Sequence, residues 1–114
     1  MNILREPITI GEVLATAAGR FGDLVKAVVD VERGILAVDA ELHADEEAVL
    51  LDDGSRQSDL WGINLYPADR GQPDWIEFDS MINVRPSVGN RSRSVEDPAI
   101  RDRIVDIVEQ LVVD

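Results

Sequence analysis

The spacing of apolar residues changes along this chain, and that change most constrains its fold. In the first segment apolar side chains recur at helical intervals, so that Val13, Ala17 and Phe21 share one face. In other segments apolar and polar residues alternate, which is typical of strands with one buried face. The helical segments are residues 9–21, 43–52 and 97–111, and the alternating ones are 24–32, 35–38, 61–66 and 75–85. This order, α-β-β-α-β-β-α, predicts an α+β fold.

The first and last helices carry start signals in the sequence. Thr9 and Glu12 have the spacing of a capping box, in which a hydroxyl accepts from an orphan backbone amide. Asp97 precedes Pro98, and this pair is typical of a helix N-cap followed by the first helical position. We therefore expect both helices to begin at these residues.

Short connections and period-two strands favour an antiparallel arrangement. We expect two layers: a mostly antiparallel sheet of about four strands with three helices packed on one face. The chain is expected to be a single domain, residues 1–114. The second face of the sheet would then be polar, and Trp75 would lie on it. The polar residues assigned to that face are Asp30, Asn64, Tyr66, Glu77, Asp79, Asn83 and Arg85.

Composition narrows the possible functions. The chain has no cysteine, which excludes disulfides, thiolate catalysis and cysteine–zinc sites. Its net charge of −12 argues against general nucleic-acid binding, because phosphate contacts rest on clustered cations. The same charge fits either adaptation to a salt-rich cytoplasm or a basic partner. No segment has the ~20 apolar residues of a membrane span, and the N-terminal residues do not resemble a signal peptide. We therefore expect a cytosolic protein that does not bind membranes.

The only histidine lies in an acidic segment, residues 41–47, with the sequence ELHADEE. A neighbouring carboxylate could orient His43 as a general base, so the weak catalytic candidates are His43, Asp45, Glu77 and Asp79. A lone histidine supports no zinc site, and the spacing fits no EF-hand loop, so we expect no metal and no cofactor. The alternative is structural, because acids in the first turn of a helix are favoured by its dipole.

A second segment, residues 85–94, contains three arginines and three serines but no acid. Guanidinium forks, hydroxyls and loop amides before a helix N-terminus favour binding of phosphate or carboxylate. The predicted ligand-binding residues are Arg85, Asn90, Arg91, Ser92 and Arg93, with Ser94 as a supplementary donor. The segment is neither a Walker A loop nor a dinucleotide-binding fingerprint. The alternative is that the arginines pair with carboxylates of the chain itself.

Three hypotheses follow for the function. The leading one is a non-catalytic binding module for a small anionic ligand that contains phosphate. The second is a small metal-assisted hydrolase, in which residues 41–47 with Glu77 and Asp79 would hold a hard cation. The third is a regulatory domain that binds a protein partner through the polar sheet face or an exposed strand edge. The sequence favours a protein that is not an enzyme, and it leaves the oligomeric state and strand order open.

Three segments together resemble a known family. They are residues 41–47 (ELHADEE), residues 61–67 (WGINLYP) and residues 77–93, which end in GNRSR. Together they resemble a family of small bacterial and archaeal proteins classed as a domain of unknown function. The resemblance extends from the turn at Phe21 to the last helix. It implies a small single-domain protein, and it implies no mechanism and no catalytic residue.

Overall fold

One antiparallel sheet of five strands organises the protein in this computed structural model, which describes residues 1–114. Its strands are β1 (Asn2–Leu4), β3 (Val25–Asp30), β4 (Ile35–Val38), β5 (Leu60–Leu65) and β6 (Ile76–Glu77), in the order β1-β4-β3-β5-β6. A separate parallel pair joins β2 (Ile8–Thr9) to β7 (Val112–Val113). The helices are α1 (Ile10–Ala18), α2 (His43–Asp52) and α3 (Pro98–Leu111). The α+β class and the mostly antiparallel sheet are therefore confirmed, whereas the strand count differs.

The predicted helix starts agree with the structure. The backbone amide of Glu12 donates to the Thr9 hydroxyl at 3.1 Å, and the amide of Ala99 donates to the Asp97 carboxylate at 2.9 Å. Each bond satisfies one of the amides that a helix leaves without an intrahelical acceptor. The predicted end of α1 at Phe21 is wrong, because the helix stops at Ala18.

Helices cover both faces of the sheet, so the prediction of three helices on one face is wrong. α1 and α3 pack with Ala27 and Val29 in a core of 19 buried residues. On the opposite face Leu50 of α2 packs with Val28 in a second core of five buried residues. The reason is visible in β3, where Val28 and Val29 are consecutive and point to opposite faces. Apolar side chains on both faces require cover on both faces.

The segment 75–85, predicted as one long strand or two collinear ones, pairs in the sheet only at Ile76–Glu77. Beyond this point the chain lies directly over β5. A Cβ atom at Gly62 would come within 2.5 Å of the Ser80 Cβ, so the approach depends on a glycine. The Asn83 side chain donates to the Gly62 carbonyl at 2.9 Å and accepts from its amide at 2.8 Å. The Asn83 side chain thus takes the place of the backbone hydrogen bonds that a paired strand would have made with β5.

The sheet face predicted to be polar is largely covered. Asp30 is fully buried, and its carboxylate accepts from the amides of Glu32 and Arg33 at 2.9 Å and from the Ser55 hydroxyl at 2.6 Å. Trp75, predicted on this face, is buried in the larger core instead. None of the three helices has both the length and the apolar character needed to cross a membrane.

Candidate functional site

The predicted anion-binding segment, residues 85–94, lies in an ordered loop, here called the arginine loop (residues 85–96). Arg85 and Asn90 exchange two backbone hydrogen bonds, of 2.7 and 3.2 Å, which close its first part. Pro86–Val88 form a single 3₁₀ turn inside that closure. Gly89 has φ = 87°, a conformation that glycine adopts without steric cost. The backbone of this part of the loop is therefore fixed by its own bonds.

Asn90 holds the rest of the loop in place. Its side-chain amide donates to the carbonyls of Asn83, Ser94 and Ser92 at 2.7, 2.8 and 3.1 Å. Its carbonyl oxygen accepts from the backbone amide of Glu96 at 2.9 Å. The residue is only 5% exposed. Asn90, a predicted ligand-binding residue, thus uses its polar groups to connect four positions of the chain.

Two of the three arginines in the predicted site contact groups of the protein itself. The Arg85 guanidinium donates to the carbonyls of Gln57 and Leu60 and lies 4.2 Å from the centre of the Trp61 ring. Burial lowers the pKa of Arg85, although the ring also offers a cation–π contact. The Arg93 guanidinium pairs with the Asp79 carboxylate. Arg85 is thus held against the chain, whereas Arg93 uses only its Nε–H in this pair and its side chain is 54% exposed.

The loop also holds a carboxylate of its own. One oxygen of Glu96 accepts from the backbone amides of Arg91 and Ser92 at 2.9 and 2.8 Å. We call these two amides the amide nest. The Ser92 hydroxyl, followed by the two amides, lowers the pKa of Glu96, so the carboxylate is charged at neutral pH. The Arg91 guanidinium makes no hydrogen bond or ion pair within the chain and is exposed to solvent.

A cleft of about 450 Å³ opens beside the arginine loop. Trp61, Val88 and Ile100 supply its apolar surface, and Glu96 contributes to its wall. The remaining lining residues are Ser58, Gly89, Asn90 and Asp97. Because the Asp97 carboxylate already caps α3, the positive end of that helix dipole already faces an anion. Arg91 and Ser92 do not line the cleft, and Glu96 is the residue that connects the two: its carboxylate accepts from the amide nest, and the residue also lines the cleft.

The acidic segment at the start of α2 is arranged differently. The His43 Nε2 atom lies 2.8 Å from the Ile63 carbonyl oxygen, so this nitrogen carries the proton and donates. Burial lowers the pKa of His43, and the charges of Lys26 and Arg93 act in the same direction. The imidazole is therefore neutral at pH 7, and its Nδ1 atom has no partner in the chain.

Glu46 is the most perturbed acid in the protein. It is fully buried, and neither carboxyl oxygen has a hydrogen-bond partner. Burial raises the pKa of Glu46 to about 9, and the Ala40 amide, which does not reach hydrogen-bond geometry, and the charge of Lys26 oppose this only in part. The group is thus a neutral carboxylic acid at pH 7. Asp45, the neighbouring catalytic candidate, is exposed.

The remaining candidates lie between these two regions. Glu77 accepts from the Asn64 amide at 2.9 Å and from the Tyr66 hydroxyl at 3.3 Å. Asp79 is paired with Arg93, and its charge opposes the lowering of the His43 pKa only in part. No cleft is lined by residues from both the acidic segment and the arginine loop. No group of three or more histidines and carboxylates is arranged to hold a metal ion.

The sequence did not indicate three features of this site. The cleft is lined by residues far apart in the chain, such as Trp61 and Ile100, whose apolar character predicts only core packing. Glu96 gave a weak signal, because an acid directly after a donor-rich loop can fold back onto its amides. Glu46 gave no signal, because an acid in the first turn of a helix is normally exposed.

The fold and the site define a small α+β protein with a self-closed, arginine-bearing loop beside an apolar cleft. The chain matches the model of the family described as "Protein of unknown function (DUF5674)" over residues 2–111, and it belongs to that family. The resemblance to a family of unknown function is therefore confirmed. No curated protein and no solved structure matches the chain.

Proposed function

We propose that this protein is a non-catalytic binding module for a small ligand that carries a phosphate or carboxylate group. The observation that carries the proposal is the amide nest, which already holds a carboxylate, beside the unpaired guanidinium of Arg91. Phosphate and carboxylate both accept hydrogen bonds from groups such as two converging amides and one guanidinium. Arg91 and Ser92 are thus the contacts for the charged group, whereas Arg85, Asn90 and Arg93 shape the loop.

The cleft provides room for the rest of the ligand. Its volume of about 450 Å³ falls within the ~300–1,000 Å³ typical of small-molecule sites. Trp61, Val88 and Ile100 offer apolar contacts, and no arginine or lysine lines the cleft. The proposed ligand therefore has one anionic group and an apolar body, rather than several charged groups.

The two other hypotheses receive less support. A metal-assisted hydrolase needs its base and its substrate-binding groups within hydrogen-bond reach, and no cleft joins the acidic segment to the arginine loop. A partner that adds a strand to the sheet would use β1, an outer strand of three residues that offers few backbone groups. Binding at the loop remains the function that the geometry supports best.

Nuclear magnetic resonance tests this proposal directly. Inorganic phosphate and phenyl phosphate should shift the backbone amide signals of Arg91 and Ser92 in a saturable manner, and phenyl phosphate should also shift the Trp61 indole signal. Arg91→Ala should weaken phosphate binding roughly tenfold, the equivalent of one charge-assisted contact. Arg56→Ala is the matched control, since Arg56 is also exposed and unpaired but belongs neither to the arginine loop nor to the lining of the cleft.

Two outcomes would contradict the proposal. One is the absence of saturable shifts at Arg91 and Ser92 with either compound. The other is an equal loss of phosphate binding in Arg91→Ala and Arg56→Ala, which would show that only the overall charge matters. Ionic strength is held constant in both titrations, because salt screens exposed charges.

A further inference from the structure

The carboxylate of Glu96 occupies the position that the charged group of a ligand would take. Its two hydrogen bonds, 2.9 Å from Arg91 N and 2.8 Å from Ser92 N, use both amides of the nest. A phosphate oxygen cannot accept from these amides while Glu96 holds them. Anion binding and the closed position of Glu96 are therefore mutually exclusive.

The Glu96 side chain is free to leave without disturbing the backbone. The Glu96 main-chain amide donates to the Asn90 side chain at 2.9 Å, which fixes the backbone independently of the carboxylate. The side chain itself is exposed to solvent, so an open rotamer is hydrated and needs no rearrangement of the core. Asp97 continues to cap α3 in either position.

We propose that Glu96 is a built-in competitor that closes the amide nest until an anionic ligand displaces it. This inference rests on the proposed function and adds its regulation. A ligand then binds only the open fraction of molecules, so its apparent affinity equals the intrinsic affinity multiplied by that fraction. The internal carboxylate is covalently attached five residues from the nest, which gives it a high effective concentration. An anion that binds weakly and is present at low concentration therefore does not displace Glu96, whereas a ligand that also contacts the cleft does.

The competitor also sets which ligands the site accepts. Glu96 belongs to the wall of the cleft, so its departure joins the nest to the apolar surface formed by Trp61 and Ile100. A ligand with an apolar body gains these contacts and compensates for opening the nest. Inorganic phosphate gains none of them. The preference for phenyl phosphate over inorganic phosphate should therefore be large in the wild type.

Removal of the carboxylate tests the inference. Glu96→Ala should bind inorganic phosphate roughly tenfold more tightly than the wild type, since opening the nest no longer requires the loss of two charge-assisted hydrogen bonds. Glu96→Gln, which keeps the side-chain size but not its charge, should lie between them. Glu6→Ala is the control, because it removes the same charge from an exposed residue outside the cleft. The readout is the phosphate titration of the Arg91 and Ser92 amide signals.

The outcomes separate this inference from the proposed function. If phosphate shifts the two amides in the wild type but no more tightly in Glu96→Ala and Glu96→Gln, the site exists and Glu96 is not its competitor. If neither the wild type nor the two variants shows saturable shifts, the proposed function fails, and the inference fails with it. An equal gain in Glu6→Ala and Glu96→Ala would also overturn the inference, because net charge alone would then explain it.

Discussion

The arginine loop and helix α2 both concentrate polar residues, but they treat those residues in opposite ways. In the loop, the Asn90 side chain and the Glu96 carboxylate are hydrogen-bonded, and the Arg85 Nε atom is the buried polar atom without a partner. In α2, Glu46 and one oxygen of Glu47 are buried without a partner. The hydrogen bonds of Asn90 and Glu96 hold the loop in one conformation, whereas a buried unpaired acid destabilises the fold that contains it. The comparison shows that a charged segment reveals little until its partners are known.

The pKa values of two glutamates show the same contrast. Hydrogen bonds from the loop favour the charged form of Glu96 and lower its pKa. Burial disfavours the charged form of Glu46 and raises its pKa to about 9. One residue type therefore responds in opposite directions within a chain of 114 residues. Substitutions are therefore expected to change the free energy of unfolding most in α2 and least at the surface of the arginine loop.

Replacement of Glu46 should have the largest effect. The folded-state pKa lies above the unfolded value, so stability is unaffected below about pH 4.5 and is lost progressively as the pH rises towards 9. At pH 7 this loss amounts to roughly 3 kcal/mol. Glu46→Gln, which is neutral at every pH, should not show this loss of stability. It should therefore be more stable than the wild type above pH 6. Urea unfolding between pH 5 and 9 measures the difference.

The control for this series is Glu41→Gln, because the Glu41 side chain is 77% exposed and lies in the same acidic segment. It should keep the pH dependence of the wild type. Parallel pH profiles for the wild type and Glu46→Gln would show that Glu46 is ionised in the folded protein. The Glu46 side chain would then be hydrated or paired rather than buried without a partner.

Replacement of Asn90 should have the next largest effect. Asn90→Ala removes the donor that serves three carbonyls, of which those of Asn83 and Ser94 are the closest. Groups left without a partner inside a protein cost about 1–3 kcal/mol, so a loss of roughly 2 kcal/mol is expected. Thermal unfolding followed by circular dichroism measures it. Asn2→Ala, at an exposed residue, should leave the transition unchanged, and equal effects for the two variants would show that the loop is not organised by Asn90.

Removal of the surface ion pair should have the smallest effect. The side chains of Arg93 and Asp79 are 54% and 42% exposed, so solvent weakens their attraction. Arg93→Ala should change the free energy of unfolding by less than about 1 kcal/mol, and the change should diminish in 1 M salt. Urea unfolding at two salt concentrations provides the test. A loss as large as that of Asn90→Ala would mean that Arg93 supports the loop through contacts other than this ion pair.

Much of the fold could be predicted from local signals in the sequence. The capping residues Thr9 and Asp97 located both helix starts, and the acidic run at the start of α2 gave the bounds His43–Asp52 correctly. These features depend on residues within one turn of each other, so the sequence contains the whole cause. The strands β1, β2 and β7 were missed, because two or three residues are too few to show alternation.

Contacts between distant residues could not be predicted in the same way. The alternation of residues 75–85 is real, yet Gly62 and Asn83 replace the expected strand pairing with a side-chain bridge 21 residues apart in sequence. The position of α2 on the opposite face depends on Val28, which local spacing does not assign to either face. For the site, the sequence predicted Arg91 and Ser92 as ligand contacts, which stays a prediction, and it could not show that their backbone amides meet Glu96.

The pKa values of Glu46 and Glu96 test the central comparison most directly. Carbon-13 nuclear magnetic resonance of the glutamate side-chain carboxyl groups, followed against pH, resolves both residues in one titration. The structure predicts a midpoint of about 9 for Glu46 and a midpoint below the ordinary value of 4.5 for Glu96. Midpoints near 4.5 for both residues would contradict it, because the acid of α2 would then be hydrated or paired and the carboxylate of the loop would not be held by the amide nest.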